Sequence, residues 1–197
     1  YTTLHGDYSK LSARVLESSI EKSVGDFFSQ NEKLFNQGII SEEQWIKINK
    51  WKKTISEILL LPSLEIDYLG LNAYIKTYLI RDKKDNISET PHHSRIRLAV
   101  FFAEKEEDVK ENYYALVEGW SPPTPTLCNA GTTEGQLASC QLHYLKGDSL
   151  EGIMDSAKDF AISSKNKAGI GVAAYNQRAK GSKSSKGWSA AGVVQNM

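Results

Sequence analysis

The chain has 197 residues, 40% hydrophobic and 24% charged, with zero formal net charge, which is typical of a soluble protein with one large or two small domains. No apolar run approaches the roughly 20 residues needed to cross a bilayer, and the polar start YTTLHGDYSK has no secretory signal. Two cysteines are too few for a disulfide framework, so a cytoplasmic location is expected. Tyr1 stands where an initiator methionine is expected, which predicts a fragment or a processed product.

Apolar residues recur at helical spacing through residues 1–120, which predicts a mainly helical N-terminal domain. The first helical stretch spans residues 8–28. Ser41 followed by Gln44 forms a capping-box pattern, and it predicts a helix that ends before Pro62. Further helices are predicted over LGLNAYIKTYLI and EEDVKENYYALVEGW, whereas SRIRLAVFFA fits either a helix or a short strand.

The pattern of apolar residues changes at SPPTPT. Its three prolines predict a domain boundary and no helix through residues 121–126. Beyond it, LASCQLHYL alternates in part as a strand does, and AGIGVAAYN is another short apolar segment. Between them a helix is predicted from Asp148, as N-cap, to about Lys165. A strand, a helix and a strand in succession predict a βαβ crossover with a parallel sheet, in a second domain of residues 121–197.

Charge is distributed unevenly along the chain. After Asp159 no acidic residue follows, whereas six basic residues do: Lys165, Lys167, Arg178, Lys180, Lys183 and Lys186. A local excess of this kind favours an anionic ligand such as a phosphate, although a solvated basic surface explains it equally well. Since no aromatic residues are interleaved with these charges, nucleic-acid binding is not predicted.

Cys128 and Cys140 lie twelve residues apart and allow several interpretations. A structural zinc site needs four ligands, and these two thiols with His143 offer three, so no metal site is predicted. A disulfide remains open, and either cysteine alone is most simply a small buried residue.

Two glycine-containing segments suggest contact with a ligand. KAGIGV has two glycines of a dinucleotide fingerprint but lacks the third, so it predicts only a close approach of the backbone to a ligand or a strand. RAKGSKSSKGW is a basic, Gly/Ser-rich loop that fits either a phosphate site or a mobile surface loop.

Five motifs in order, TTLHGDYSKLSARV, PTPTLCNAG, QLASCQL, GDSLEGIMDSAKDFAISSKNKAGIGV and RAKGS, resemble the large catalytic subunit of class I ribonucleotide reductase. The resemblance covers essentially the whole chain and is closest over residues 120–182. It implies an α/β fold in which a helical N-terminal domain leads into the opening strands of a ten-stranded α/β barrel.

The resemblance also implies catalytic and substrate-binding roles. Cys140 matches one of two redox thiols that deliver electrons to the 2′ carbon of the ribose. Thr124, Ser139 and the backbone near Gly169 match positions that hold the substrate diphosphate and ribose. Cys128 stands where the family usually has a bulky apolar residue, and no catalytic role is carried over to it.

A regulatory site is implied in the same way. Asp148, Ser149 and Leu150 match the specificity site for a deoxynucleoside triphosphate effector, with Asp148 on the ribose hydroxyl and the other two facing the base. Arg178, thirty residues after Asp148, matches the residue that grips the effector phosphates. In the family the helix that follows Asp148 also packs across a two-fold homodimer.

The matched part lacks the radical-bearing cysteine, the partner thiol of Cys140 and the second specificity loop. The expected partners are therefore the rest of the large subunit and a radical-generating small subunit, besides the ribonucleotide substrate and dNTP or ATP effectors. No cofactor, metal, nucleic acid or membrane partner is expected for this chain itself. Three interpretations stay open: a split or longer reductase subunit, a catalytically inactive nucleotide-binding homologue, and a helical adaptor with residual barrel motifs.

Overall fold

The computed structural model describes residues 5–62, 65–165 and 168–183. The chain divides into two compact units, one up to Leu137 and one from Ala138 onward. Among the described residues no helix is long and apolar enough to span a membrane.

The described part of the N-terminal unit is helical, as predicted for residues 1–120. Its helices are α1 (Gly6–Val24), α2 (Phe27–Asn36), α3 (Glu42–Lys50), α4 (Lys52–Leu59), α5 (Tyr68–Thr77), α6 (Pro91–Phe102), α7 (Glu106–Val117) and α8 (Thr124–Asn129). The predicted cap of α3 is confirmed, since the Ser41 hydroxyl accepts from the Gln44 N–H at 3.3 Å. Thr90 caps α6 in the same way and Pro91 fills its first turn, so the ambiguous SRIRLAVFFA segment is a helix.

Two stretches predicted as continuous helices are each broken into a pair. Gly25 has a φ of 77°, and Asp26 then starts α2 by accepting from the Ser29 N–H at 2.9 Å. The second break falls at Trp51, whose non-helical backbone separates α3 from α4. Apolar spacing continues across both breaks, and at the second break Ile48 before it and Ile55 after it lie in the same buried cluster.

The core of this unit centres on α6, which is buried along almost its whole length. The buried apolar cluster around it comprises Phe27, Ile48, Trp51, Ile55, Ile58, Ile96, Leu98, Ala99, Val100, Ala103, Val109, Tyr113, Leu116, Leu127 and Ala130. These residues come from six of the helices and from the turn after α8, so the last segment of the unit is anchored in the same core.

Helix α8 contradicts the prediction that residues 121–126 exclude a helix. Pro123 occupies the N-cap position and Pro125 lies in the first turn. Proline is tolerated there because a backbone N–H in the first turn has no acceptor within the helix. Because α8 belongs to the first unit, the division falls after Leu137. The sequence placed the change at residue 121, and its domain limits of 1–120 and 121–197 stay a prediction.

The second unit contains the predicted βαβ crossover. Strand β1 (Cys140–Tyr144) is followed by helix α9 (Leu150–Lys165) and strand β2 (Gly169–Ala173). The strands pair in parallel, from Cys140 opposite Gly169 to Tyr144 opposite Ala173. Gln141 and His143 are partly covered, and the His143 ring packs edge-on against Phe160 of α9. The opposite face of β1, with Cys140, is exposed.

Candidate functional site

Cys140 begins β1 with an exposed side chain. Its register partner Gly169 begins β2, and the Gly169 N–H donates to the Ser139 carbonyl at 2.7 Å. A Cβ atom at residue 169 would lie 3.5 Å from the Cys140 Sγ and 3.3 Å from the Ser139 oxygen. Glycine at this position therefore leaves space beside the thiol, which explains the close approach that KAGIGV predicted. Ser139, Cys140 and Gly169 form one group, here called the thiol end.

Thr124, the remaining residue predicted to bind substrate, lies in the N-terminal unit. It is exposed at the first position of α8. The helix is held from its other end, where the Arg97 guanidinium donates to the Leu127 carbonyl at 2.9 Å and to the Ala130 carbonyl at 2.6 Å. Arg97 is only 1% exposed and is paired with Glu89. A buried ion pair thus sets the position of the segment that carries Thr124.

The turn after α8 is fixed by three further contacts. The Ser41 N–H donates to the Gly131 carbonyl at 3.0 Å, and the Asn129 side chain donates to the Gln136 carbonyl at 2.7 Å. The Thr126 hydroxyl donates to the Leu137 carbonyl at 2.9 Å. The polar insert that joins α8 to the end of the unit is therefore tied at both ends.

Asp148 and Arg178 meet at the opposite end of the strand pair. They follow the carboxyl ends of β1 and β2, and the Arg178 Nε donates to an Asp148 carboxylate oxygen. The Arg178 Nη2 also donates to the Asp148 carbonyl at 3.3 Å. Hydrogen bonding from the Arg178 side chain holds the pKa of the Asp148 carboxyl below its usual value. Both side chains stay partly exposed, at 27% for Asp148 and 36% for Arg178, so a ligand can reach them.

Ser149, not Asp148, caps helix α9, and the sequence prediction is wrong here. The Ser149 hydroxyl accepts from the Gly152 N–H at 3.1 Å, and Leu150 is the first helical residue. Asp148 is one residue too early for that role and its carboxylate is turned to Arg178 instead. Leu150 is 67% exposed, an unusual environment for leucine that leaves its side chain available for contact.

Two residues that the sequence reading missed fasten the loops together. The Asn176 side chain donates to the Leu145 carbonyl, and the Gln177 side chain donates to the Gly147 carbonyl at 2.7 Å. With Arg178 on Asp148, three consecutive side chains of the loop after β2 bind the loop after β1. The run of polar residues directly before Arg178 was the available signal.

The two loops and α9 are packed closely. A Cβ atom at Gly152 would lie 2.9 Å from the Gly147 nitrogen, so the glycine lets the first turn of α9 rest on the loop. The Ser156 hydroxyl accepts from the Lys146 N–H at 2.9 Å and donates to the Gly152 carbonyl at 2.7 Å. We call Asp148, Ser149, Leu150 and Arg178 the Asp–Arg end.

The basic run after Asp159 contributes to this end only in part. Arg178 donates weakly to the Lys183 carbonyl at 3.5 Å, and Lys180 and Lys183 are exposed nearby in sequence. Lys167 and Lys186 lie outside the described residues. The run therefore adds positive charge around Arg178, as expected for an anion site.

The two cysteines are not linked to each other. Cys128 lies in α8 of the first unit, where its Sγ donates to the Thr77 carbonyl at 3.3 Å, and Cys140 lies in the second unit. Neither forms a disulfide. Among the described residues no group of three potential metal ligands occurs.

The thiol end and the Asp–Arg end lie at opposite ends of one strand pair. Four steps separate Cys140 from Tyr144, which is about 13 Å along an extended strand. One βαβ unit thus presents a thiol beside a glycine at one end and an acid–base pair beside a helix start at the other.

Two family models match the chain in succession. The all-alpha domain of ribonucleotide reductase matches residues 64–135, and the barrel domain of ribonucleotide reductase matches residues 138–197. The two matches meet where the compact units divide.

Curated relatives give the same result. The chain is 36% identical to the ribonucleoside-diphosphate reductase large subunit of Monkeypox virus and 34% identical to that of Arabidopsis thaliana, in each case over 92% of this chain. It is 30% identical to the ribonucleoside-diphosphate reductase large chain 2 of Saccharomyces cerevisiae over the same share. The chain spans about a quarter of the length of these relatives, which is 25%, 24% and 22% in turn. Both domain models and the relatives agree that the chain belongs to the ribonucleotide reductase large-subunit family.

Proposed function

We propose that this chain forms the helical domain and the opening βαβ unit of a class I ribonucleoside-diphosphate reductase large subunit. The observation that carries the proposal is the parallel register of β1 and β2, which places the Cys140 thiol beside Gly169 and keeps it exposed. The remaining barrel comes from another segment or polypeptide.

In the proposed reaction Cys140 acts as one of two reducing thiols. The ribose loses its 2′ hydroxyl as water and gains hydrogen at the 2′ carbon, while the two thiols are oxidised to a disulfide. Cys128 lies in the other unit and donates to the Thr77 carbonyl, so the proposal gives it no part in the reaction and places the second thiol beyond these 197 residues. A small subunit supplies the radical that starts the reaction.

Ser139 and Gly169 of the thiol end would contact the substrate, and Thr124 of the N-terminal unit is proposed separately as a substrate-binding residue. The backbone at Ser139 and Gly169 is open to a ribose, and Thr124 offers a hydroxyl at the first turn of α8. The buried Arg97 holds the opposite end of α8 through the Leu127 and Ala130 carbonyls. Diphosphate is the substrate form that the relatives' names indicate.

The Asp–Arg end would bind a deoxynucleoside triphosphate or ATP as effector. Arg178 is suited to the phosphates because a guanidinium binds phosphate oxygens through two donors, and Asp148 is suited to a ribose hydroxyl. Exposed apolar residues on α9, such as Leu150, Met154 and Ile162, fit a homodimer interface beside that effector site.

The catalytic test uses the tagged chain together with the polypeptide that co-purifies with it and carries the rest of the barrel. Cys140→Ser is expected to abolish deoxynucleotide formation from a ribonucleoside diphosphate. Cys128→Ser is the matched control, and it should leave turnover close to that of the wild type. Full activity of Cys140→Ser would refute the catalytic role.

A nucleotide-binding protein without catalysis is the second candidate, and the Asp–Arg end favours it because that pair is complete within this chain. It predicts that a deoxynucleoside triphosphate stabilises the isolated chain, by about 2.7 kcal/mol at 100 times its dissociation constant. Stabilisation with no turnover in any reconstituted complex would select this function. Arg178→Ala should remove the stabilisation.

A further inference from the structure

The Asp148–Arg178 contact has a consequence for ligand binding at the Asp–Arg end. The two side chains proposed to hold opposite parts of a nucleotide bind one another in this structure. Two of the three guanidinium nitrogens of Arg178 are engaged with Asp148, Nε with its carboxylate and Nη2 with its carbonyl. The third, Nη1, makes only a long contact of 3.5 Å to the Lys183 carbonyl.

The rest of the unit keeps this pair closed. Gln177 fixes the Gly147 carbonyl directly before Asp148, and Asn176 fixes Leu145 two residues earlier. The Ser149 hydroxyl accepts from the Gly152 N–H, so this donor of the helix start is satisfied without the Asp148 carboxylate. These contacts hold the backbone on both sides of the pair, so Asp148 and Arg178 stay within reach of one another while their side chains remain free to rotate.

We propose that the Asp148–Arg178 pair is an autoinhibitory latch, in which the carboxylate occupies the donors that a phosphate needs and an incoming polyphosphate binds by displacing it. This inference rests on the proposed effector site, since it describes how that site is kept closed. The bound polyphosphate takes the place of the carboxylate on the Arg178 Nε and adds a bond to a second guanidinium nitrogen, as phosphates commonly do on arginine. Asp148 is then released and becomes available to a ribose hydroxyl, so phosphate binding precedes sugar recognition.

The latch can be tested by measuring phosphate binding separately from ribose binding. Inorganic tripolyphosphate carries the charge of a nucleotide but has no ribose. Asp148 therefore cannot bind it and only competes with it for the donors of Arg178. Removing the carboxylate should therefore tighten tripolyphosphate binding. Because a partly exposed ion pair is weak, we expect a modest change in affinity, about two- to fivefold.

The experiment measures tripolyphosphate binding to the full chain by calorimetry at one low ionic strength. Asp148→Asn, which keeps the shape of the side chain, should bind about two- to fivefold more tightly than the wild type. Glu151→Gln is the matched control, because it removes an exposed carboxylate of the first turn of α9 that does not touch Arg178. The gain should be clearly smaller in this control and should vanish in Asp148→Asn combined with Arg178→Gln.

Unchanged or weaker tripolyphosphate binding by both Asp148→Asn and Asp148→Ser would overturn the latch, as would an equal gain in Glu151→Gln. Asp148→Ser provides a second variant should the asparagine re-form a hydrogen bond with Arg178, and it should give the same gain. A parallel titration with dATP and dTTP tests the proposed effector role separately. A chain that binds neither nucleotide but shows the Arg178-dependent gain has the latch and lacks the effector function. A chain that binds them without any gain has the effector site and no latch.

Discussion

The guanidinium of Arg97 holds the Glu89 carboxylate through two hydrogen bonds of 2.9 Å in the interior of the N-terminal unit. Its other donors bind the carbonyls of Leu127 and Ala130, so one side chain joins α6 to the end of α8. Glu89 also accepts from the Ile80 N–H at 2.9 Å. This pair therefore connects three separate segments of the chain.

Arg97→Met should lower the free energy of unfolding by about 3–5 kcal/mol, because it leaves Glu89 buried and unpaired. Lys110→Met is the matched control, since it removes a cation from the exposed Lys110–Glu57 pair, where the N–O distance is 2.6 Å. Because solvent screens an exposed pair, Lys110→Met should change the free energy of unfolding far less than Arg97→Met does. Urea denaturation of both variants measures the difference, and equal losses would contradict a structural role for Arg97.

Gly131→Ala should destabilise the turn after α8 by more than its backbone angle alone explains. Gly131 has a φ of 79°, and a Cβ atom there would lie 2.7–2.9 Å from the Gln44 side chain, which is held on the Arg97 carbonyl at 2.9 Å. Overpacking of this kind costs about 1–3 kcal/mol beyond the left-handed strain. Gly135→Ala is the control, because its φ of 66° is similar and nothing lies within 4 Å of the added atom. Equal denaturation midpoints for the two variants would refute the clash.

Acid should destabilise the N-terminal unit through His93. Burial lowers the pKa of His93 to about 4, from an ordinary value of 6.5, with a smaller lowering from His92 and an opposing effect of the Asp26 carboxylate. The unfolded chain therefore binds a proton first as the pH falls. The contribution of neutral His93 to the free energy of unfolding is fully present above pH 6.5. It is lost progressively as the pH falls towards 4, by about 3 kcal/mol in total.

The measurement is the free energy of unfolding of the wild type and His93→Gln at several pH values between 7.5 and 4.5. Histidine side chains titrate in this pH range. The variant should show a clearly shallower decline than the wild type. His92 lies beside it with its pKa also lowered by burial, so part of the decline should persist in His93→Gln. Superimposable profiles would show that His93 is not responsible.

Ser149→Ala should weaken the start of α9 by about 1 kcal/mol, because it removes the side chain that accepts from the Gly152 N–H. Hydrogen exchange of the Gly152 amide reports the loss directly and should accelerate. Ser164→Ala is the control, since Ser164 is exposed in the last turn of the same helix. Unaltered exchange at Gly152 in Ser149→Ala would mean that another group caps the helix.

The features that the sequence predicted well are those that depend on neighbours along the chain. The Ser41 cap, the crossover helix and the two strands follow from local spacing and short-range hydrogen bonds. The breaks at Gly25 and Trp51 were missed because apolar spacing continues across them. Helix α8 was missed because proline was weighed as a helix breaker, although the first turn tolerates it.

The residues of the candidate site could be named from the sequence, but the contacts between them could not. Family resemblance selected Cys140, Asp148 and Arg178, and their roles stay predictions. That Asp148 and Arg178 bind one another depends on the lengths of two loops and on Gln177, which no local pattern specifies. Arg97 was missed because a charged residue in an ambiguous apolar stretch does not reveal burial.

The three successive contacts of Asn176, Gln177 and Arg178 have a consequence for how this loop can change in evolution. Each side chain meets its own acceptor on the loop after β1, so the contacts depend on the count of residues between Ala173 and Arg178. A single insertion or deletion there would shift all three side chains away from their acceptors, whereas one substitution removes one contact. The length of this loop is therefore under stronger constraint than its composition.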